Sequence, residues 1–168
     1  MILKLAFKQK LILLATLIIF FKMKKEDLLH ILKNKISEKI LIFENLIAET
    51  RASSNDTKSS MGDKYETGRE MLQQEINNLQ LQLNEVIKQR DFLNNLSSKP
   101  SVKSEKGALV KTDKGFFYIA VSFGNIEAEG NKIFCISTDS PLAKVLEGKT
   151  ESESISLNSI TQKIQNIW

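Results

Sequence analysis

The chain has 168 residues, and its 24 basic and 20 acidic side chains give a formal charge of +4. Residues 1–22 hold four lysines and no acid, residues 23–96 eleven basic against twelve acidic, and residues 97–168 nine against eight. A body this close to neutral excludes the broad electrostatic footprint of a general nucleic-acid binder. A single histidine and a single cysteine exclude an internal disulfide and a His-rich metal site, and any Cys/His or Ser/His relay would have to join distant segments.

The first 22 residues place an apolar run, Leu11 to Phe21, behind Lys4, Lys8 and Lys10. This resembles the charged and apolar regions of a secretion signal, but no small-residue cleavage pattern follows. The run is also shorter than the ~20 apolar residues of a spanning helix. We expect Met23 to be the true start and the upstream residues to belong to an overextended reading frame; the competing reading is a signal-anchor-like extension.

From Met23 the pattern is helical. Leu29, Leu32, Ile36, Ile40, Phe43 and Ile47 fall at three- and four-residue spacing and make one apolar stripe. His30 lies off it and reads as a helix-surface residue. Further on, Tyr65, Leu72, Leu79, Val86 and Leu93 recur every seven residues, with Ile76 and Leu83 between them, which is a coiled-coil seam. Arg69 and Arg90 take its remaining positions, their stems long enough to lie on apolar neighbours. Between the two patterns, Ala52 to Gly62 is polar, rich in turn formers and without periodicity, so the helices are expected to fold back antiparallel. About 30 residues per helix gives a rod roughly 45 Å long. Its tip carries Gly62-Asp63-Lys64-Tyr65-Glu66.

Residues 97–106, Ser-Ser-Lys-Pro-Ser-Val-Lys-Ser-Glu-Lys, read as a linker. The β-branched and aromatic runs Gly107 to Lys111, Phe116 to Phe123 and Lys132 to Ser137 then predict antiparallel strands, with turns at Asp113-Lys114-Gly115 and across Gly124 to Asn131. Cys135 falls in the apolar run Ile133 to Ile136 and reads as a buried, reduced thiol. Ser140 to Gly148 predicts a one- or two-turn helix, with Ser140 as N-cap, Pro141 at the first helical position and Gly148 as terminator. Ser154 to Leu157 and Ile160 to Trp168 predict a closing hairpin turning near Asn158-Ser159, with Ile160, Ile164 and Ile167 in the core. The fold class is therefore α+β: an antiparallel helical hairpin over residues 23–96, then a small antiparallel β domain over 107–168 with one short helix against it.

Two segments carry a resemblance to the Gre family of bacterial transcript cleavage factors. Gly62-Asp63-Lys64-Tyr65-Glu66 resembles the family's Gly-Asp-x-x-Glu tip, and Ser140-Pro141-Leu142-Ala143-Lys144-Val145-Leu146-Glu147-Gly148-Lys149 resembles its Ser-Pro-[aliphatic]-Ala-x-x-Leu-x-Gly-Lys segment. The resemblance runs from about Met23 to Trp168. It implies an FKBP-like C-terminal domain and a cytoplasmic transcription elongation factor that docks on RNA polymerase while its rod enters the secondary channel. It implies no enzyme in its own right and no sequence-specific nucleic-acid binding: the polymerase's own site hydrolyses backtracked RNA, meeting the nascent 3′ end, while Asp63 and Glu66 help hold a Mg²⁺ shared with it. No membrane association is expected unless residues 1–22 are genuine.

The sequence departs from the family where Thr67-Gly68-Arg69-Glu70 replaces the commoner Asn-Ala-Glu-Tyr, and where Gly148-Lys149 is not followed by Gly-Asp. On periodicity alone, Asp63 and Glu66 read first as a capping-box variant at a helix N-terminus, and it is the resemblance that sets a metal role beside it. Two alternatives to the cleavage factor stand beside it: a polymerase-binding regulator that does not stimulate cleavage, and a membrane-associated coiled-coil interaction protein using Met71, Leu81 and Ile87.

Overall fold

The computed structural model describes residues 24–56 and 64–168, the side chains of 54–56 and 64–66 excepted. Residues 1–23 and 57–63 lie outside that description, and with them the expectations for a start at Met23 and for the tip loop.

Two long helices come first, α1 (Lys25–Asp56) and α2 (Lys64–Asn94). Thirty-two residues at 1.5 Å each make α1 about 48 Å long. The stripe read from sequence is the one that packs: Leu29, Leu32, Ile36, Ile40 and Ile47 of α1 and Ile76, Val86 and Leu93 of α2 are buried, with Phe43 and Leu83 half-buried beside them. Each fully buried Leu or Ile contributes on the order of 1.5–3 kcal/mol, so the seam outweighs the indifferent helix propensity of the polar faces. Polarity of the pair is fixed at its base, where Lys25 and Glu26 at the start of α1 meet the chain just beyond α2, at Lys99, Ser101 and Ser98. The hairpin is antiparallel.

Helix α1 runs further than the sequence suggested. Ala52 to Asp56, expected as loop, is helical. Along this end Thr50 Oγ1 donates to the Leu46 carbonyl at 2.8 Å and Ser53 Oγ to the Glu49 carbonyl at 3.1 Å. These side chains bond back along the helix rather than into a turn.

The second half is a mixed sheet of β1 (Leu109–Thr112), β2 (Gly115–Ala120), β3 (Gly124–Ala128), β4 (Asn131–Ser137), β5 (Ser154–Leu157) and β6 (Ile160–Ile167), ordered β3-β4-β2-β1-β6-β5. Neighbours run antiparallel except β2 and β4, which pair in parallel from Phe116↔Ile133 to Ala120↔Ser137. The parallel pair arises because β3 intervenes in the chain and lies outside β4. Strand β3 occupies part of what the sequence presented as a turn, since it buries a single apolar residue, Ile126, and its remaining residues are polar or small. The turn itself is only Glu129-Gly130, both at positive φ (50° and 73°), as a two-residue hairpin with primed-turn twist requires. Asn158-Ser159 makes the same kind of turn between β5 and β6.

Alternation along the strands sends side chains to two separate cores. Leu109, Phe116, Tyr118, Ala120, Ile133 and Cys135 join the base of the helical hairpin. Val110, Ile119, Ile155, Ile164 and Ile167 face the other way, against Ala143 and Leu146 of the short helix α3 (Pro141–Leu146). Both faces of the sheet are thus covered, one by the rod and one by α3. Ile164 and Ile167 reach the same face despite their odd spacing because β6 carries a register shift opposite Lys111/Thr112. The expectation for Ile160 does not hold: it is 55% exposed at the first position of β6, beside the Asn158-Ser159 turn where little of the sheet lies over it. In the interior Gln162 is buried instead, accepting from Thr112 Oγ1 at 2.9 Å.

Candidate functional site

The tip of the rod is where the sequence places Asp63 and Glu66. Helix α2 begins at Lys64, so the backbone of Glu66 lies in its first turn, where an acid interacts favourably with the helix dipole. Asp63 and the Glu66 side chain lie outside the described residues, so their separation is not a quantity of this structure. Gly68 follows on the same turn, exposed, and a Cβ built there meets nothing within 4 Å. A glycine inside a helix costs about 1 kcal/mol relative to alanine, and packing within the described chain does not require it.

Among the described residues no group of three or more His, Cys, Asp or Glu side chains is placed to hold a metal. His30 is on the exposed face of α1, with Asn34 Nδ2 3.4 Å from its Nε2. Cys135 is a free thiol only 3% exposed. Burial pushes it up to about 12, so at neutral pH it is protonated and inert as a nucleophile. Its register partner Tyr118 is pushed up to about 12 as well, by burial first and by the neighbouring Cys135 second.

The Ser140–Lys149 segment is built as its residues demand. Ser140, extended at φ −63° and ψ 146°, accepts from Ala143 N at 3.2 Å, and Pro141 opens the helix. Ala143 and Leu146 turn into the core, and Gly148 ends the helix at φ +73°, where a Cβ would be strained. Two backbone bonds then tie it to the stretch that reads as a linker: Ser104 N donates to the Lys149 carbonyl at 2.7 Å, and Gly148 N to the Ser104 carbonyl at 2.8 Å. A cleft of about 110 Å³ lies here, lined by Ser104, Ile119, Thr138, Ala143 and Glu147 among others. It is too small for a metabolite-sized ligand, which needs roughly 300 Å³ or more.

Sequence reasoning missed the lock that follows. Glu153 accepts from Thr150 N at 2.7 Å, from Thr150 Oγ1 at 2.9 Å and from Lys149 Nζ at 3.0 Å. The Thr150 backbone bond, then Lys149 and the Thr150 hydroxyl, hold the Glu153 carboxyl down at about 2. The signal was present as Thr-x-x-Glu, the spacing of a capping box without a helix behind it.

The base of the rod is fixed by the same stretch. Lys25 is 6% exposed and its ammonium donates to the Lys99 carbonyl at 2.7 Å and to Ser101 Oγ at 3.0 Å. The Lys106 ammonium sits 5.6 Å from the Phe92 ring centroid, and Gln89 Nε2 reaches the Ser122 carbonyl at 3.5 Å. Rod and sheet share one apolar cluster across this junction. None of the described helices is long and apolar enough to cross a membrane. Met71 and Leu81, 68% and 65% exposed, stand off the seam, while Ile87 packs against it.

No protein-family model matches the chain, and no curated protein matches it. Among solved structures it is similar to the crystal structure of GreA factor homolog 1 (Gfh1) protein of Thermus thermophilus, at 15% identity over 81% of this chain and 94% of that one, with a TM-score of 0.33. A likeness that remote assigns no activity to this chain.

Proposed function

We propose that the protein is a transcription elongation factor of Gre type, an accessory to RNA polymerase and not an enzyme itself, working in the cytoplasm. The observation that carries this reading is the architecture: an antiparallel rod about 48 Å long whose one end is pinned into a sheet domain; in sequence, Gly62-Asp63-Lys64-Tyr65-Glu66 falls at the start of its second helix. A long slender probe with a broad base is the shape for reaching down a channel from its rim. The Ser140–Lys149 segment, with its cap, proline and terminating glycine in place, supports the same reading.

In this function the base docks at the mouth of the polymerase's secondary channel, and the rod carries Asp63 and Glu66 to the active centre. Carboxylate oxygens are the hard donors that Mg²⁺ prefers, and residues three apart at the start of a helix share a face, so the two acids suit an ion held jointly with polymerase carboxylates. Such an ion supplies charge stabilisation for phosphodiester hydrolysis. The chain's own part is positioning: the Lys25 bonds and the shared apolar cluster hold the rod at a fixed attitude to its base, and the seam keeps it straight.

Stalled, backtracked elongation complexes test the reading. Wild-type protein added to purified polymerase releases short 3′ RNA fragments, and Asp63→Ala with Glu66→Ala abolishes release while still binding polymerase. Binding without release by the wild type supports a channel regulator that does not stimulate cleavage. Failure to bind core polymerase removes both.

A further inference from the structure

Helix α1 carries a second stripe beside its seam. Lys35, Lys39, Ile42, Leu46, Glu49 and Ser53 recur at alternating four- and three-residue spacing, and the first four stand one residue ahead of Ile36, Ile40, Phe43 and Ile47 of the seam. One residue is about 100° of helix, so this stripe lies to one side of the face that α2 covers, and all six side chains are exposed. Ile42 and Leu46, one turn apart at its centre, are 57% and 40% exposed. Lys39 lies three residues before this apolar pair and Glu49 three after it, and among the described residues neither takes part in an ion pair.

The order of residues along the stripe selects its occupant. Laid on a copy of itself in the same direction, the stripe sets Lys39 against Lys39 and Glu49 against Glu49. Turned end for end about the level of Glu44, it sets Ile42 against Leu46 of the copy, Lys39 against Glu49 and Lys35 against Ser53, and the two-fold axis makes each of these contacts twice. We propose that this face is the contact of an antiparallel homodimer, α1 against α1 of a second copy. The spacing is that of a coiled-coil seam, and an isologous contact closes on itself, so association stops at two chains. With only Ile42 and Leu46 from each copy at its centre, the contact belongs with small, transient interfaces and not with obligate ones. The Lys39 and Glu49 pairs at its rim set direction and register more than affinity. Leu41 provides a contrast within the same helix: it is as exposed as Ile42, at 57%, but stands about 100° round from it and off the stripe. This inference rests on α1 alone and is independent of the proposed function.

Sedimentation velocity of the full chain across a dilution series tests it. A reversible equilibrium between monomer and dimer is expected, with no larger species. Ile42→Ala with Leu46→Ala weakens the dimer roughly tenfold or more, while Leu41→Ala leaves it unchanged. Lys39→Glu and Glu49→Lys each weaken it alone, because each sets like charges face to face across the two-fold. Mixing those two variants restores association, since every charged contact then joins opposite signs. All of these substitutions fall on exposed positions, so the melting temperature of the dilute variants stays near that of wild type. A wild-type chain that is monomeric at every concentration overturns the proposal. So does a dimer that the stripe variants leave intact, one that Leu41→Ala weakens as much as they do, or a mixture of the charge variants that associates no better than either alone.

Discussion

The Lys25 ammonium donates to the Lys99 carbonyl across the base of the rod at 2.7 Å, joining residues 74 apart in the chain. Burial lowers the Lys25 pKa from its ordinary 10.5, only partly opposed by the nearby Glu105 charge. Folding therefore disfavours the charged form: the unfolded chain binds more protons between the lowered value and 10.5, and stability rises with pH through that window. Lys25→Met keeps the apolar stem and removes the penalised charge, so it is expected to melt no lower than wild type and to flatten the alkaline rise. Lys25→Ala, which also removes the stem, is expected to cost about 1–2 kcal/mol. Thermal melts from pH 8 to 10.5 check this; a Lys25→Met protein as unstable as Lys25→Ala would mean that the two hydrogen bonds outweigh the burial penalty.

Much of this junction was hidden in the sequence while the rod itself was plain. The seam residues announce themselves by spacing, because a helix has to bury them on one side. The stretch 97–106 reads as a linker because it is rich in Ser and Lys, yet Ser104 is fully buried and bonded through both its backbone groups to Lys149 and Gly148. Composition reports side chains, and here the backbone makes the contact. Strand β3 was hidden for a related reason: at the edge of the sheet, one buried Ile126 is all the apolar signal it needs. Glu66 was legible as a first-turn acid of α2, but whether it caps its own helix or faces a partner depends on chemistry supplied from outside the chain, and no internal pattern records that.

Inside the sheet, Thr112 Oγ1 donates to Gln162 Oε1 at 2.9 Å, and both side chains are buried. Gln162→Ala removes the acceptor and opens space around a buried hydroxyl, whose other contacts are the Gly115 carbonyl at 3.5 Å and Lys114 N at 3.1 Å. A cost of about 1–3 kcal/mol is expected. Ile160→Ala, at a position 55% exposed, is expected to change stability by less than about 0.5 kcal/mol. Urea titrations of the two variants give the order directly. A larger loss at Ile160 would mean that the start of β6 contributes more to stability than the buried Thr112–Gln162 bond.

Glu153 gives the protein an acid-sensitive point. Its folded pKa, about 2, lies below the ordinary carboxyl value of 4.5, so its contribution is complete above 4.5 and is lost as pH falls toward 2. Glu153→Gln keeps the size but loses the charge that holds Thr150 and Lys149. The variant is expected to be less stable than wild type at pH 7, with the difference narrowing between pH 4.5 and 2. Denaturant midpoints measured across that range decide it; a difference that stays constant with pH would mean that shape, and not ionisation, makes the lock.

Cys135 reports on the whole sheet. It lies on β4 between β2 and β3, 3% exposed, with its thiol pushed up to about 12 by burial. Reaction with an alkylating reagent requires both access and a thiolate, and the folded protein offers neither at pH 8. Labelling is therefore expected only through opening of the sheet, at a rate that rises with urea in parallel with unfolding followed by circular dichroism. Leu93→Ala, which removes a fully buried side chain of α2 from the cluster that Cys135 shares with the rod, is expected to cost about 2–5 kcal/mol. It should accelerate labelling correspondingly, so that a change made in the rod is read out by a thiol in the sheet. Fast labelling of the native protein, or labelling unaffected by Leu93→Ala, would mean that the two halves open independently and that the rod is not held by its base.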